Sequence, residues 1–140
     1  MEQEDISKWS NVLSQARVHA VPVGQLSDQI EGWGRFEAYA IQEKGIEFRV
    51  ARGERLVGFK MGLTSEAKRK QMNLNAPLYE VLTDLMEVRD EFSLSWSIHP
   101  KIEPELAFLI EEELPENPSR EQVLQAAGAM CACLEILDSR

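Results

Sequence analysis

The sequence predicts an α+β protein, and three observations carry that prediction. Apolar residues recur at helical spacing in two segments before Gly53. After Gly53 the pattern changes to short apolar runs bounded by glycine, proline and asparagine, the punctuation of strands and turns. Helices come first and the strand-rich part follows, which is the α+β order. The expected division is a helical region over residues 1–54 and a β-rich region over residues 55–140.

Each element has its own signal. In residues 4–20, Ile6, Trp9, Val12, Leu13 and Ala16 gather on one helix face, and Pro22 and Gly24 break the pattern. A second helix is expected over residues 35–52, with Phe36, Tyr39, Ala40, Phe48 and Val50 as buried candidates and Gly53 as its stop. Gly45 inside it costs about 1 kcal/mol relative to alanine. Residues 56–62, Leu-Val-Gly-Phe-Lys-Met-Gly, read as a buried strand. Thr64 or Ser65 can cap a short helix to Met72, with Lys68, Arg69 and Lys70 exposed near its end. Asn73, Asn75 and Pro77 form a turn cluster. Strand character returns at 79–88, 92–98 and, most clearly, 101–110; Ser119 caps a helix to about Ala129, and residues 131–138 form a last strand. That strand stops at Arg140 with no polar tail, which reads as a cut end.

Composition narrows the function classes. The 140 residues are 44% hydrophobic and 28% charged, the balance of a globular domain with a core. A formal charge of -9 argues against nucleic acid, whose phosphates require clustered Lys and Arg. The apolar runs fall short of the roughly 20 residues of a membrane helix, and no secretory signal opens the chain, so the expected location is the cytoplasm. Cys131 and Cys133 sit two apart on a strand, where a mutual disulfide would be strained; they read as buried thiols, and a zinc site lacks its remaining ligands.

The chemistry concentrates in His99-Pro-Lys-Ile-Glu-Pro-Glu-Leu-Ala-Phe108. Glu103 and Glu105 leave one face of a strand together, while Ile102, Leu106, Phe108 and Ile110 look core-bound. Close carboxylates resist joint ionisation unless a cation lies between them, and hard oxygen ligands suit magnesium or manganese. A solvated acidic strand face is the plain alternative for the pair. Glu135 lies in the otherwise apolar Cys133-Leu-Glu-Ile-Leu137, where an unpaired buried carboxylate is costly; it either joins the pair at one cation or faces solvent. Asp138, three residues on, would point to the other face and is a candidate supporting residue only. Lys60 stands between Gly58 and Gly62, either as a surface lysine or as one held for a purpose. No Ser-His-Asp pattern or phosphate loop is present.

Four fragments in order, 51–68 around Gly58-Phe-Lys-Met-Gly62, Pro77-Leu-Tyr79 with Leu82-Thr-Asp84, 99–108, and Leu134-Glu-Ile-Leu-Asp-Ser-Arg140, resemble the hydratase and decarboxylase branch of the fumarylacetoacetate hydrolase superfamily. Lys-Met-Gly-Leu-Thr-Ser with His-Pro-Lys-Ile-Glu looks more like its decarboxylases. The resemblance implies the N-terminal half of a metal-dependent lyase, with helices followed by the first part of a mixed β-roll. It implies Glu103, Glu105 and Glu135 as ligands of Mg2+ or Mn2+, Lys60 as the active-site lysine, and Tyr79 and Leu82 as substrate-lining residues. The substrate class it implies is a small 2-keto acid, with decarboxylation of 2-oxohex-3-enedioate or hydration of the dienol product as the reaction. It further implies a homo-oligomer and association of decarboxylase with hydratase. Glu80 stands where many relatives carry glycine, and relatives are about twice as long, so an inert, self-associating fragment is the competing expectation.

Overall fold

The computed structural model describes residues 2–139, and its contacts divide them into two compact units that meet in sequence between Trp96 and Ser97. The first unit holds α1 (Gln3–His19), α2 (Arg35–Val50), β1 (Leu56–Gly62), α3 (Glu66–Gln71) and β2 (Leu78–Thr83). The second holds β3 (Pro100–Ile110), α4 (Arg120–Ala126) and β4 (Ala127–Asp138). The α+β class therefore stands. The described strands form two antiparallel pairs, β1 with β2 and β3 with β4.

In the first unit α1 packs on α2 through the stripe its periodicity announces. Ala16 and Ile41 are buried, and the buried Ser10 hydroxyl donates to the Ile41 carbonyl at 2.7 Å, tying the helices by a polar bond inside an apolar contact. Helix α1 ends at Ala20 in the left-handed conformation, and Gly53 takes a φ of 98° three residues past the end of α2, a turn that a side chain would strain. Phe36 and Val50, expected inside, are exposed instead. They lie off the arc occupied by Ile41 and Arg49, the buried residues of α2.

The polar anchor of this unit is Arg49. Its side chain is buried; it donates to Glu54 at 2.7 Å and also to the Thr83 hydroxyl, and Thr83 in turn donates to Glu54 at 2.5 Å. The triangle joins α2, the turn after it and the end of β2. Beside it, Asp84 accepts the backbone N–H and the Nε–H of Arg55, closing the open end of the β1–β2 ladder. The apolar residues of β1, expected buried, are exposed: Leu56, Val57, Phe59 and Met61 find no cover among the described residues. Residues 92–98 are not a strand but contain a single 3-10 turn, Leu94–Trp96, in which Phe92 packs edge-on against Trp96. Arg69 is not simply solvated either, since it turns back to donate to the Leu63 and Thr64 carbonyls.

In the second unit β3 and β4 pair along their whole lengths, with a bulge where Gly128 falls between Ala127 and Ala129. Ser119 caps α4 as expected: it accepts from Gln122 N–H while the Gln122 side chain accepts from Ser119 N–H. The helix ends at Ala126 rather than near Ala129 because the Ala126 carbonyl accepts from Glu111 N–H, which commits the chain to β4.

Burial alone would push the Glu54 carboxyl up, but the bonds from Arg49 and Thr83 and the charges of Arg49 and Arg17 outweigh it, holding the group below its ordinary 4.5. A lowered carboxyl contributes stability that is complete above the ordinary value and lost as pH falls through the folded one. Glu54→Gln should therefore flatten the acid limb of a stability-against-pH curve. It should also cost about 3 kcal/mol at neutral pH by leaving Arg49 buried without its counter-charge, read by urea unfolding. An unchanged acid limb would show that another group controls it.

Candidate metal centre

Antiparallel register decides which side chains meet. Glu103 lies directly opposite Glu135, and Glu105 opposite Cys133. Opposed residues share a face, and residues two apart along a strand share it too, so all three glutamates emerge on one side of the ladder. Their carboxylate oxygens lie within 4.8 Å of one another. Glu103 and Glu105 are exposed, and Glu135 is half-buried. In a water-like dielectric, unit charges at about 4 Å repel by about 1 kcal/mol per pair, a repulsion that a cation between carboxylates offsets.

The donor set fits a hard divalent ion. Oxygens on opposite sides of one cation sit twice the metal–oxygen distance apart, roughly 4 Å for Mg2+ and 5 Å for Ca2+. A spread capped at 4.8 Å accommodates either, and three carboxylates from two paired strands leave further coordination positions for water or a chelating ligand.

The opposite face of the same ladder is apolar, carrying Ile102, Leu106, Phe108, Met130 and Leu134. Ile102, Leu106, Phe108 and Ile110 were expected to be core-bound; all four are exposed, Ile102 at 65% and Leu106 at 63%. β3 alternates regularly, and within its own unit, among the described residues, the two-stranded ladder leaves its apolar side exposed. The same reason corrects the cysteines. Cys131 and Cys133 are exposed thiols on the carboxylate face. Cys133, opposite Glu105, is the neighbour that sequence reasoning missed; the alternation Cys-X-Cys-X-Glu was its available signal.

Asp138 does point away from the glutamate face, as its spacing implies, and its task is backbone capture. Its carboxylate accepts Ile98 N–H at 3.0 and 3.1 Å and His99 N–H at 2.7 Å. Lys60, Tyr79 and Leu82 belong to the other unit. Lys60 is half-buried and lies opposite Glu80, the departure noted in the sequence, and Leu82 lies opposite Gly58 on the same ladder face. Tyr79 is on the other face, where its ring stacks on Tyr39 with centroids 4.5 Å apart. Arg35 lies over Tyr39, and the Tyr39 hydroxyl accepts Tyr79 N–H at 3.2 Å. The pair Lys60 and Leu82 is thus brought together and Tyr79 is turned from them.

The exposed thiols generate a direct test. Both should react with a colorimetric disulfide reagent in the native state, giving two equivalents without denaturant; protection until unfolding would show that β4 is covered in solution.

No protein-family model matches the chain. Curated relatives do. A 4-oxalocrotonate decarboxylase of Pseudomonas sp is 36% identical over 96% of the chain and 53% of the relative. A 2-keto-4-pentenoate hydratase of Paraburkholderia xenovorans strain LB400 is 35% identical over 91% of the chain and 49% of the relative. Among solved structures, the 4-oxalocrotonate decarboxylase from Pseudomonas putida G7 complexed with magnesium and adipate matches with a TM-score of 0.90 at 28% identity, over 99% of the chain and 54% of that protein. The chain spans about half the length of the curated relatives it matches. In sequence and in fold it is a homologue of the 4-oxalocrotonate decarboxylases and 2-keto-4-pentenoate hydratases, the branch its motifs resemble, and it corresponds to their N-terminal half.

Proposed function

We propose that this chain carries the metal-binding half of a divalent-metal-dependent lyase acting on small 2-keto diacids, with decarboxylation of 2-oxohex-3-enedioate to 2-hydroxypenta-2,4-dienoate and carbon dioxide as its reaction. One observation carries the reading: three carboxylates from two strands converge within 4.8 Å in a homologue of such enzymes. The adipate in a homologous decarboxylase is a six-carbon diacid, the chain length of 2-oxohex-3-enedioate, and supports that substrate class.

In this reading Glu103, Glu105 and Glu135 hold Mg2+ or Mn2+. The bound ion supplies a Lewis acid for the carboxylate and adjacent keto oxygen of a 2-keto acid, and its charge offsets the repulsion of an anionic substrate by a chain of formal charge -9. Lys60 is assigned the steadying of negative charge, or the movement of a proton, at the keto-enol group, on its place in the Gly-Phe-Lys-Met-Gly motif. Tyr79 and Leu82 are assigned to substrate lining, and Tyr79 would have to act from a ring already stacked on Tyr39. A mixed β-roll, a cytoplasmic homo-oligomer and association with a partner hydratase complete the proposal.

Paramagnetic resonance of Mn2+ tests the centre. The chain should bind one ion saturably, and Glu103→Gln or Glu135→Gln should weaken binding more than tenfold; a folded chain that takes up no Mn2+ rules the centre out. Ultraviolet absorbance separates the reactions. Decarboxylation makes the dienol accumulate from 2-oxohex-3-enedioate, whereas hydration consumes added 2-hydroxypenta-2,4-dienoate.

A second reading rests on the exposed apolar face of the β3–β4 ladder: a non-catalytic chain that self-associates. It predicts concentration-dependent sedimentation that Leu106→Lys abolishes, with neither substrate consumed. A monomer at every concentration, with turnover, disposes of it.

A further inference from the structure

The glutamate trio does not survive a one-residue slip of its strands. A slip of one residue between β3 and β4 would send Glu103 and Glu105 to the face now occupied by Ile102 and Leu106, away from Glu135. Registers are usually held by burial of one face and by ladder hydrogen bonds. Both are weak at the end of this ladder nearest the trio. The apolar face is exposed, so little burial penalises a slip. Pro100 and Pro104 flank Glu103, and neither has an N–H to give to a ladder.

Asp138 stands at this weak end, opposite Pro100. Its carboxylate reaches past the proline and captures the two N–H groups before it, Ile98 at 3.0 and 3.1 Å and His99 at 2.7 Å. A carboxylate accepting backbone N–H groups makes charge-assisted bonds, stronger than the neutral ladder bonds that the prolines cannot donate. Because the acceptor is a short side chain, the slip that brings His99 and Pro100 to it removes a donor, and the opposite slip gives up the His99 bond, the shortest of the three at 2.7 Å.

We infer that Asp138 is a positioning residue for the metal centre, a register clamp that closes on Ile98 and His99 and thereby sets Glu103 opposite Glu135. It lies on the ladder face opposite the three glutamates. Its effect on metal affinity rests on the proposed centre; its effect on register does not.

Asp138→Ala and Asp138→Asn in the 140-residue chain test this with two readouts. The first is Mn2+ affinity by paramagnetic resonance. Supporting groups of this kind typically affect metal affinity by about 10–100-fold, so the alanine variant should fall in that range, and the asparagine variant, which keeps one carbonyl acceptor, between it and the parent. The second is NMR of the metal-free chain. Ile98 and His99 amides should lose exchange protection, and cross-strand contacts at Lys101/Leu137 and Glu103/Glu135 should fade while those at Phe108/Met130 persist. Unchanged affinity with unchanged contacts overturns the inference. Equal loss of contacts at both ends overturns it too, because Asp138 would then serve stability alone. If the alanine variant does not fold, the asparagine variant carries the same comparisons. If the parent binds no Mn2+, the centre fails, and the contacts at Glu103/Glu135 still decide the clamp.

Discussion

Everything proposed for this chain depends on the alignment of β3 with β4. Side chains alternate across a ladder with a period of two, so one alignment collects three carboxylates on a single face and the next separates them. The same alignment puts Ile102, Leu106, Phe108, Met130, Leu134 and Ile136 together on the reverse side. Chemistry and apolar surface are therefore two consequences of one backbone relationship. A cation between Glu103, Glu105 and Glu135 would also favour this alignment, since it binds best where all three oxygens meet, so site and strand pairing stabilise one another.

Both units close their ladders by the same device. An aspartate at the end of the second strand captures backbone N–H groups just ahead of the first: Asp84 takes Arg55, and Asp138 takes Ile98 and His99. Two-stranded ladders have two open edges and little cooperative support, so an ionised acceptor at the terminus does work that a neighbouring strand would do in a larger sheet. Apolar burial contributes less here than in most domains of this length. Among the described residues Ala16, Ile41 and Ala126 are the fully buried apolar ones, and the Arg49–Glu54–Thr83 triangle lies buried among partners it needs.

The exposed faces carry the residue types of a core, as in Val57, Phe59, Leu106 and Leu134, on strands whose alternation is regular. Such faces are sticky, which is why catalysis and self-association are competing readings of one surface and one chain.

The order of helices and strands, the bounds of β1 and, to within one residue, of β3, the capping of α4 by Ser119 and the shared strand face of Glu103 and Glu105 were legible in the residues, because each rests on local periodicity or on chemistry that neighbours in sequence dictate. What covers a face is not local. Phe36, Val50, Cys131, Cys133 and the apolar side of β3 read as buried from their type, and only the tertiary structure showed them exposed, since burial depends on whether another layer is present. The pairing of Glu103 with Glu135, across thirty-odd residues of chain, and the capture of Ile98 and His99 by Asp138 were likewise decided in three dimensions: periodicity says which way a side chain points along its own strand, and only pairing says what it meets.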